Sequence, residues 1–290
     1  MRQRLEYWAF RAVLASLRRT PLSFAHRLSR LYTRLLDLAI PRLRRTAYRN
    51  LGSALPHADA AKITNGVYES IARMLVAFSR FPDLNPGNIH EWIRYEGFEY
   101  FLEAKRRGKG VMFATAHMGA WELSAFAHAL MAEPMHVVIR PLDNALIDAE
   151  VKIRRRASNN TLIEKKDAAR AILRALQKNE AVGVLIDQNV SPSEGVFVDF
   201  FGTPACAGTA FVRFAQKTNA AVIPGYALWC NRERRYVLRF YPILEFTGDI
   251  QHDTQLLHSQ LETVIREYPE QWLWIHRRWK TRPAGSPSFY

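Results

Sequence analysis

From about residue 92 the chain alternates short apolar runs with stretches of helical periodicity, and this alternation restricts the fold more than any other feature. Short apolar runs bounded by turn formers read as strands buried on both faces. The helical stretches between them supply the crossovers that parallel strands require. Strands are expected at 92–95, 110–115, 136–139, 181–186, 196–200, 221–228 and 235–241. Helices are expected at 97–106, 119–132, 143–157, 167–178, 207–218 and 252–267. This order predicts an α/β fold with a mixed, largely parallel central sheet flanked by helices. It is mixed because 221–228 and 235–241 read as a hairpin.

The first eighty residues have a different texture. Residues 4–18 read as a helix with Leu5, Trp8, Val13 and Leu17 on one face and Arg4, Arg11 and Arg18 toward the other. Thr20-Pro21 breaks it, a second helix follows at about 22–39, Pro41 starts a third, and a fourth spans about 58–79. The turn-rich FPDLNPGN at 81–88 then marks the change of pattern. The expected organisation is a basic, all-helical, membrane-associating segment at 1–80 and an α/β core at 81–290, the core being one continuous domain. The Pro/Gly/Ser-containing tail after Arg282 reads as loose.

Charge makes the division sharper. The formal net charge is +14, and residues 1–50 hold 12 Arg, no Lys and only Glu6 and Asp37 as acids, so +10 of it lies there. Nucleic acid, an anionic membrane surface, and acidic proteins or phosphorylated substrates could each answer such a charge, and charge does not choose among them. An Arg-rich helix with a Trp on its apolar face fits a membrane interface; the alternative is a packed surface helix with solvated arginines. No run of about 18 uncharged apolar residues occurs, so a transmembrane helix is not expected. Glu6 and Arg11 interrupt the first apolar stretch, which argues against a signal peptide. Cys206 and Cys230 have neither metal-site spacing nor the look of a disulfide framework, which suits a reducing compartment.

The chemistry centres on GVMFATAHMGAWEL, residues 110–123. A buried strand runs into a turn carrying His117 and Gly119, and a helix begins before Glu122. Open α/β sheets bind ligands at such carboxyl ends of strands. The His-x4-acid spacing alone decides nothing. His128 and Glu133 repeat it, and nine histidines with 27 acids in 290 residues produce about one such pair by chance. Context favours His117, whose imidazole could take a proton from an attacking hydroxyl near neutral pH while Glu122 orients the ring. No Gly-x-Ser-x-Gly elbow or nucleophilic Cys accompanies it, so direct attack by a bound alcohol is preferred to a covalent intermediate.

Further segments add to this pattern: HVVIRPLDNALID (136–148), KIRRRASNN (152–160), LIDQNVSPSEGVFVDFFGTPACAG (185–208) and WLWIHRRWKTRP (272–283). Together they resemble the lysophospholipid acyltransferase superfamily, and more narrowly the bacterial lipid A late acyltransferases, the lauroyl and myristoyl transferases of the Kdo-lipid A pathway. The resemblance covers most of the chain from about residue 40. It implies catalytic roles for His117 and Glu122, and substrate contacts at Arg140, Asn144, Asp187, Gln188, Gly195, Phe201 and Gly202. Arg156 is the choice within the Arg154–Arg156 cluster, and Arg277 and Arg278 would meet an anionic head group and the membrane.

The implied activity is transfer of a fatty acyl group from an acyl-carrier-protein thioester to a hydroxyl of a lipid A precursor. The implied partners are acyl carrier protein, the glycolipid acceptor and an anionic membrane surface, with no nucleic acid, no metal and no bound cofactor. The place of action would be the cytoplasmic face of the bacterial inner membrane, peripherally or shallowly anchored. Two alternatives stay open: an acyltransferase using a lysophospholipid or another glycolipid, or acyl-CoA as donor, and a non-enzymatic basic protein binding membrane or nucleic acid. Many family members begin with a clear transmembrane helix, whereas here that segment is short and interrupted by charge.

Overall fold

In the computed structural model, which describes residues 1–164 and 168–290, prolines punctuate the first three helices: α1 (Arg2–Arg19), α2 (Leu22–Ala39) and α3 (Pro41–Ala54). Pro41 occupies the first turn of α3, where its missing N–H costs nothing. α4 (Ala60–Ser79) starts at Asp59, whose carboxylate accepts the Lys62 amide at 2.9 Å. α2 turns the small side chains of Ala25, Ser29 and Thr33 inward, and Ser29 Oγ donates to the Ala72 carbonyl of α4 at 2.9 Å. α1 buries Leu14 and Leu17, while Leu5 and Trp8 stay exposed.

The alternating part follows as β1 (Ile93–Glu96), α5 (Phe98–Arg106), β2 (Val111–Thr115), α6 (Trp121–Met131), β3 (His136–Ile139) and α7 (Ala145–Arg156). Next come β4 (Thr161–Glu164), α8 (Ala168–Gln177), β5 (Ala181–Leu185), β6 (Gly195–Phe200), β7 (Thr203–Gly208) and α9 (Ala210–Thr218). The chain ends with β8 (Ala221–Cys230), β9 (Arg235–Phe240) and α10 (Ile250–Glu267). The expected first residue of the 167–178 helix lies outside the described residues.

Among the described residues the main sheet has seven strands in the order β1-β9-β8-β2-β5-β3-β4, parallel throughout except for the antiparallel β8–β9 hairpin. The fold class is the mixed α/β arrangement that the alternation predicts. Two strands were not foreseen. β4 is a short edge strand, and β7 after Thr203 is built from Pro, Ala, Cys and Gly, which carry little strand signal. β7 pairs with β6 because Phe201 and Gly202, both at positive φ (57° and 72°), make a two-residue turn between Phe200 and its partner Thr203.

The N-terminal helices share cores with the sheet. Leu14, Phe78 and Phe81 belong to one cluster with Phe113, Phe126 and Ile223. Leu51 and Val67 belong to another with Trp272, Trp274 and Trp279. No helix among the described residues is long and apolar enough to cross a membrane.

Candidate active site

The site follows from strand register. β2 and β5 are parallel neighbours with Thr115 opposite Leu185, so His117 and Asp187, each two residues further on, emerge side by side. The Ile186 amide continues the ladder to the Thr115 carbonyl at 2.9 Å. Asp187 Oδ1 lies 2.9 Å from His117 Nδ1, and Oδ2 accepts the His117 amide at 3.0 Å. The indole N–H of Trp272 donates to the same Oδ2 at 2.9 Å.

Trp272 arrives from the segment after α10, which lies antiparallel to the residues around Met118. The Leu273 amide donates to the His117 carbonyl at 3.0 Å, and the Gly119 amide to the Gln271 carbonyl at 2.8 Å. Gly119 has φ +56°, and a Cβ there would stand 2.0 Å from the Ala227 carbonyl oxygen. This close backbone approach, open only to glycine, locks the turn that presents the histidine.

Electrostatics sharpen the pairing. Burial penalises the imidazolium of His117, but the charge of Asp187 and its hydrogen bond override that, so the pKa is raised. Burial also works against the Asp187 carboxylate, yet the charge and hydrogen bonds of His117, with the Trp272 N–H, hold its pKa well below the usual carboxylate range. The pair is thus an ionised carboxylate fixing a ring that readily takes up a proton.

This corrects the role expected of Glu122. The first turn of α6 carries its carboxylate toward α7, where Arg155 Nη2 and Nε hold its two oxygens at 2.5 and 2.8 Å. The carboxylate hydrogen-bonded to the ring is that of Asp187. Glu122 still adds to the upward pull on the His117 pKa through its charge, and Arg155 opposes it.

His117 opens on a cavity of about 1030 Å³ whose walls are largely apolar, formed by Trp121, Phe126, Val137, Val184, Phe211 and Phe240 among others. Gln188 lines it too, with its Nε2 3.5 Å from His117 Nε2. Arg140 stands at the lining, exposed, with Asp143 3.9 Å away as its acidic neighbour. His128 is part of the wall. Its Nδ1 lies 2.7 Å from the Tyr95 hydroxyl, and burial pushes its pKa down to about 3, so it stays neutral. Its spacing partner Glu133 binds Lys105 instead, at 2.7 Å.

The remaining expected contacts lie elsewhere. Asn144 caps α7, accepting the Leu146 and Ile147 amides, and its Nδ2 donates to the Gln3 carbonyl and Glu6 carboxylate, each at 2.9 Å, clasping α1 to this loop. Arg156 is exposed, and Arg155 is the arginine of its cluster that reaches the cavity. Gly195, Phe201 and Gly202 belong to the β6–β7 hairpin and are not part of the cavity lining. Arg277 is exposed over the Tyr290 ring. Arg278 corrects the expectation of a head-group contact: it is fully buried, donates to the Cys206 carbonyl at 2.7 Å and lies over Phe200.

The segment 272–283 stands out in the sequence, but the partners its side chains serve do not. Trp272 is 85 residues from Asp187. His276, whose Nε2 accepts the Asn189 amide at 3.3 Å, steadies the loop after β5. Among the described residues no group of three His, Cys, Asp or Glu side chains could hold a metal ion.

The family model for bacterial lipid A biosynthesis acyltransferase matches residues 1–281. The chain is 30% identical over 205 residues to the lipid A biosynthesis lauroyltransferase of Escherichia coli (strain K12), covering 70% of this chain and 66% of that one. It is 28% identical over 269 residues to the lipid A biosynthesis palmitoleoyltransferase of the same organism, covering 89% and 86%. A lipid A biosynthesis acyltransferase of Haemophilus influenzae is 22% identical over 245 residues, covering 83% of this chain and 77% of its own.

Proposed function

The chain belongs to the bacterial lipid A biosynthesis acyltransferase family and is an acyltransferase. From that premise we propose that it moves a fatty acyl group from an acyl-carrier-protein thioester to a hydroxyl of a lipid A precursor, with His117 as general base. One observation carries the reading. His117 is held through Nδ1 by an ionised carboxylate, 2.9 Å away, while the same ring lines a large apolar cavity suited to an acyl chain.

The acceptor O–H gives its proton to His117 Nε2 as its oxygen attacks the thioester carbonyl. Asp187 stays ionised and stabilises the imidazolium. The tetrahedral oxyanion is met by amide N–H groups of the first turn of α6, which has no side-chain cap. Collapse expels the carrier thiolate, which recovers the proton from His117. Glu122 supports the imidazolium by charge and, paired with Arg155, keeps the wall between α6 and α7 in place. Arg140 at the mouth is suited to a phosphate of the acceptor.

The basic N-terminal helices suit peripheral association with an anionic leaflet at the inner membrane. An acidic carrier protein complements the same charge.

The test offers purified protein a lipid A precursor or a lysophospholipid, with acyl-carrier-protein or CoA donors. Mass spectrometry of lipid A from cells with and without the protein accompanies it. Transfer to the lipid A precursor from the carrier-protein donor, lost in His117→Ala, is the expected result. Failure with every lipid A-type acceptor, or unchanged transfer in His117→Ala, overturns the corresponding part.

A further inference from the structure

α2 is packed the reverse of an ordinary amphipathic surface helix. Its fully buried residues are small, Ala25, Ser29 and Thr33, with Leu28 and Tyr32 half-buried beside them. Its outward face carries Phe24, Leu31, Leu35 and Leu38, which are 56%, 51%, 53% and 69% exposed. At about 100° per residue these four fall within roughly 60° of one another, centred about 150° round the helix from the buried face. Arg27 and Arg34 border the stripe, both exposed and without an ion-pair or hydrogen-bond partner among the described residues. The other charges of the helix are engaged: Arg30 pairs with Glu69 at 2.7 Å, and Asp37 with Arg44 at 2.6 Å.

We propose that the outward face of α2 is the surface through which the protein inserts into an anionic lipid bilayer, with Phe24, Leu31, Leu35 and Leu38 in the acyl region and Arg27 and Arg34 at the phosphates. The proposal rests on the membrane-peripheral reading above and moves the contact from α1, whose Leu14 and Leu17 are committed to the core. Charge selects the occupant. Long Arg side chains beside an apolar stripe reach back to head groups. Antiparallel two-fold packing of this face on a second copy would instead bring the two Arg27–Arg34 flanks to the same side of the contact, where they repel.

The experiment measures flotation of the full chain with phosphatidylglycerol-containing and pure phosphatidylcholine vesicles. Transfer to a detergent-dispersed acceptor, circular dichroism and light scattering are followed alongside. Leu31→Ser/Leu35→Ser is expected to weaken vesicle binding at least 10-fold with transfer in detergent unchanged. Arg27→Gln/Arg34→Gln is expected to lose the preference for anionic vesicles, and Trp8→Ser on α1 to change binding less than the α2 pair. Wild-type protein that ignores both vesicles would defeat the peripheral-membrane reading itself. Wild-type binding undiminished in a folded Leu31→Ser/Leu35→Ser variant overturns the assignment to α2. So does a wild-type dimer that this variant dissociates, since the face would then belong to a second copy.

Discussion

The Asp187 carboxylate receives three hydrogen bonds, from the His117 ring, the His117 amide and the Trp272 indole. Replacing it with Asn puts an NH2 where a donor already points and removes the charge that favours the imidazolium. We expect Asp187→Asn to lower kcat by about 10²–10⁴-fold, the range for losing general-base assistance and ring orientation. His117 must be neutral to act as base, and Asp187 is what raises its pKa. The acid limb of the kcat/KM profile therefore moves to lower pH in Asp187→Asn. Glu122→Gln moves it less, because Glu122 acts on the ring by charge without bonding to it; a larger shift from Glu122→Gln would restore Glu122 as the orienting carboxylate.

The same pair has a stability signature at the residue scale. The depressed Asp187 stabilises the fold above the ordinary carboxylate pKa and loses that contribution as pH falls through its folded value. The raised His117 stabilises it below the ordinary imidazole pKa and loses that contribution as pH rises through its folded value. The two overlap fully between about pH 4 and 6.5. Urea midpoints of wild type and Asp187→Asn should differ most in that window, and a difference constant with pH would remove the pair as its source.

At the scale of elements, periodicity made the strands and helices visible, but register was not written in it. Nothing local to Thr115 or Leu185 says that they pair, so the sequence offers Asp187 as a substrate contact and Glu122, close to His117 in sequence, as the orienting carboxylate. The resemblance implies substrate contacts at Gly195, Phe201 and Gly202, whereas Phe201 and Gly202 make the β6–β7 turn, with the Phe201 amide held by Glu262 Oε2 at 2.6 Å. Two glycines test how turns hold these elements. Gly202 has φ +72° with nothing within 4 Å of a built Cβ, so Gly202→Ala should cost only the left-handed backbone penalty, about 1–2 kcal/mol. Gly119→Ala adds a collision with the Ala227 carbonyl and should cost at least about 2–3 kcal/mol, with loss of activity. Denaturant unfolding of both variants checks the order, and equal costs would mean that the 117–119 turn relaxes freely.

Across the whole molecule, the sheet brings the carboxyl ends of β2, β5 and β3 to one edge, and α6, α8 and α9 contribute walls to the cavity there. Its existence was implied by the fold class, but its depth was illegible, because lining residues such as Met135, Phe211 and Phe240 are ordinary core residues in sequence. A donor chain lying in it gains about 0.8 kcal/mol for each methylene removed from water until the cavity ends, after which further carbons meet wall. Ala125, on α6 four residues after Trp121, lines this space and is only partly buried. A phenylalanine there takes up volume in the cavity and leaves the His117–Asp187 hydrogen bond itself unaltered in composition. In a competition among acyl donors of increasing length, Ala125→Phe should shift preference to shorter chains, with each excluded methylene discriminated by about 10–200-fold. The shortest donors should keep near-wild-type kcat. A folded Ala125→Phe enzyme with the wild-type order of chain lengths would place the acyl chain outside this cavity.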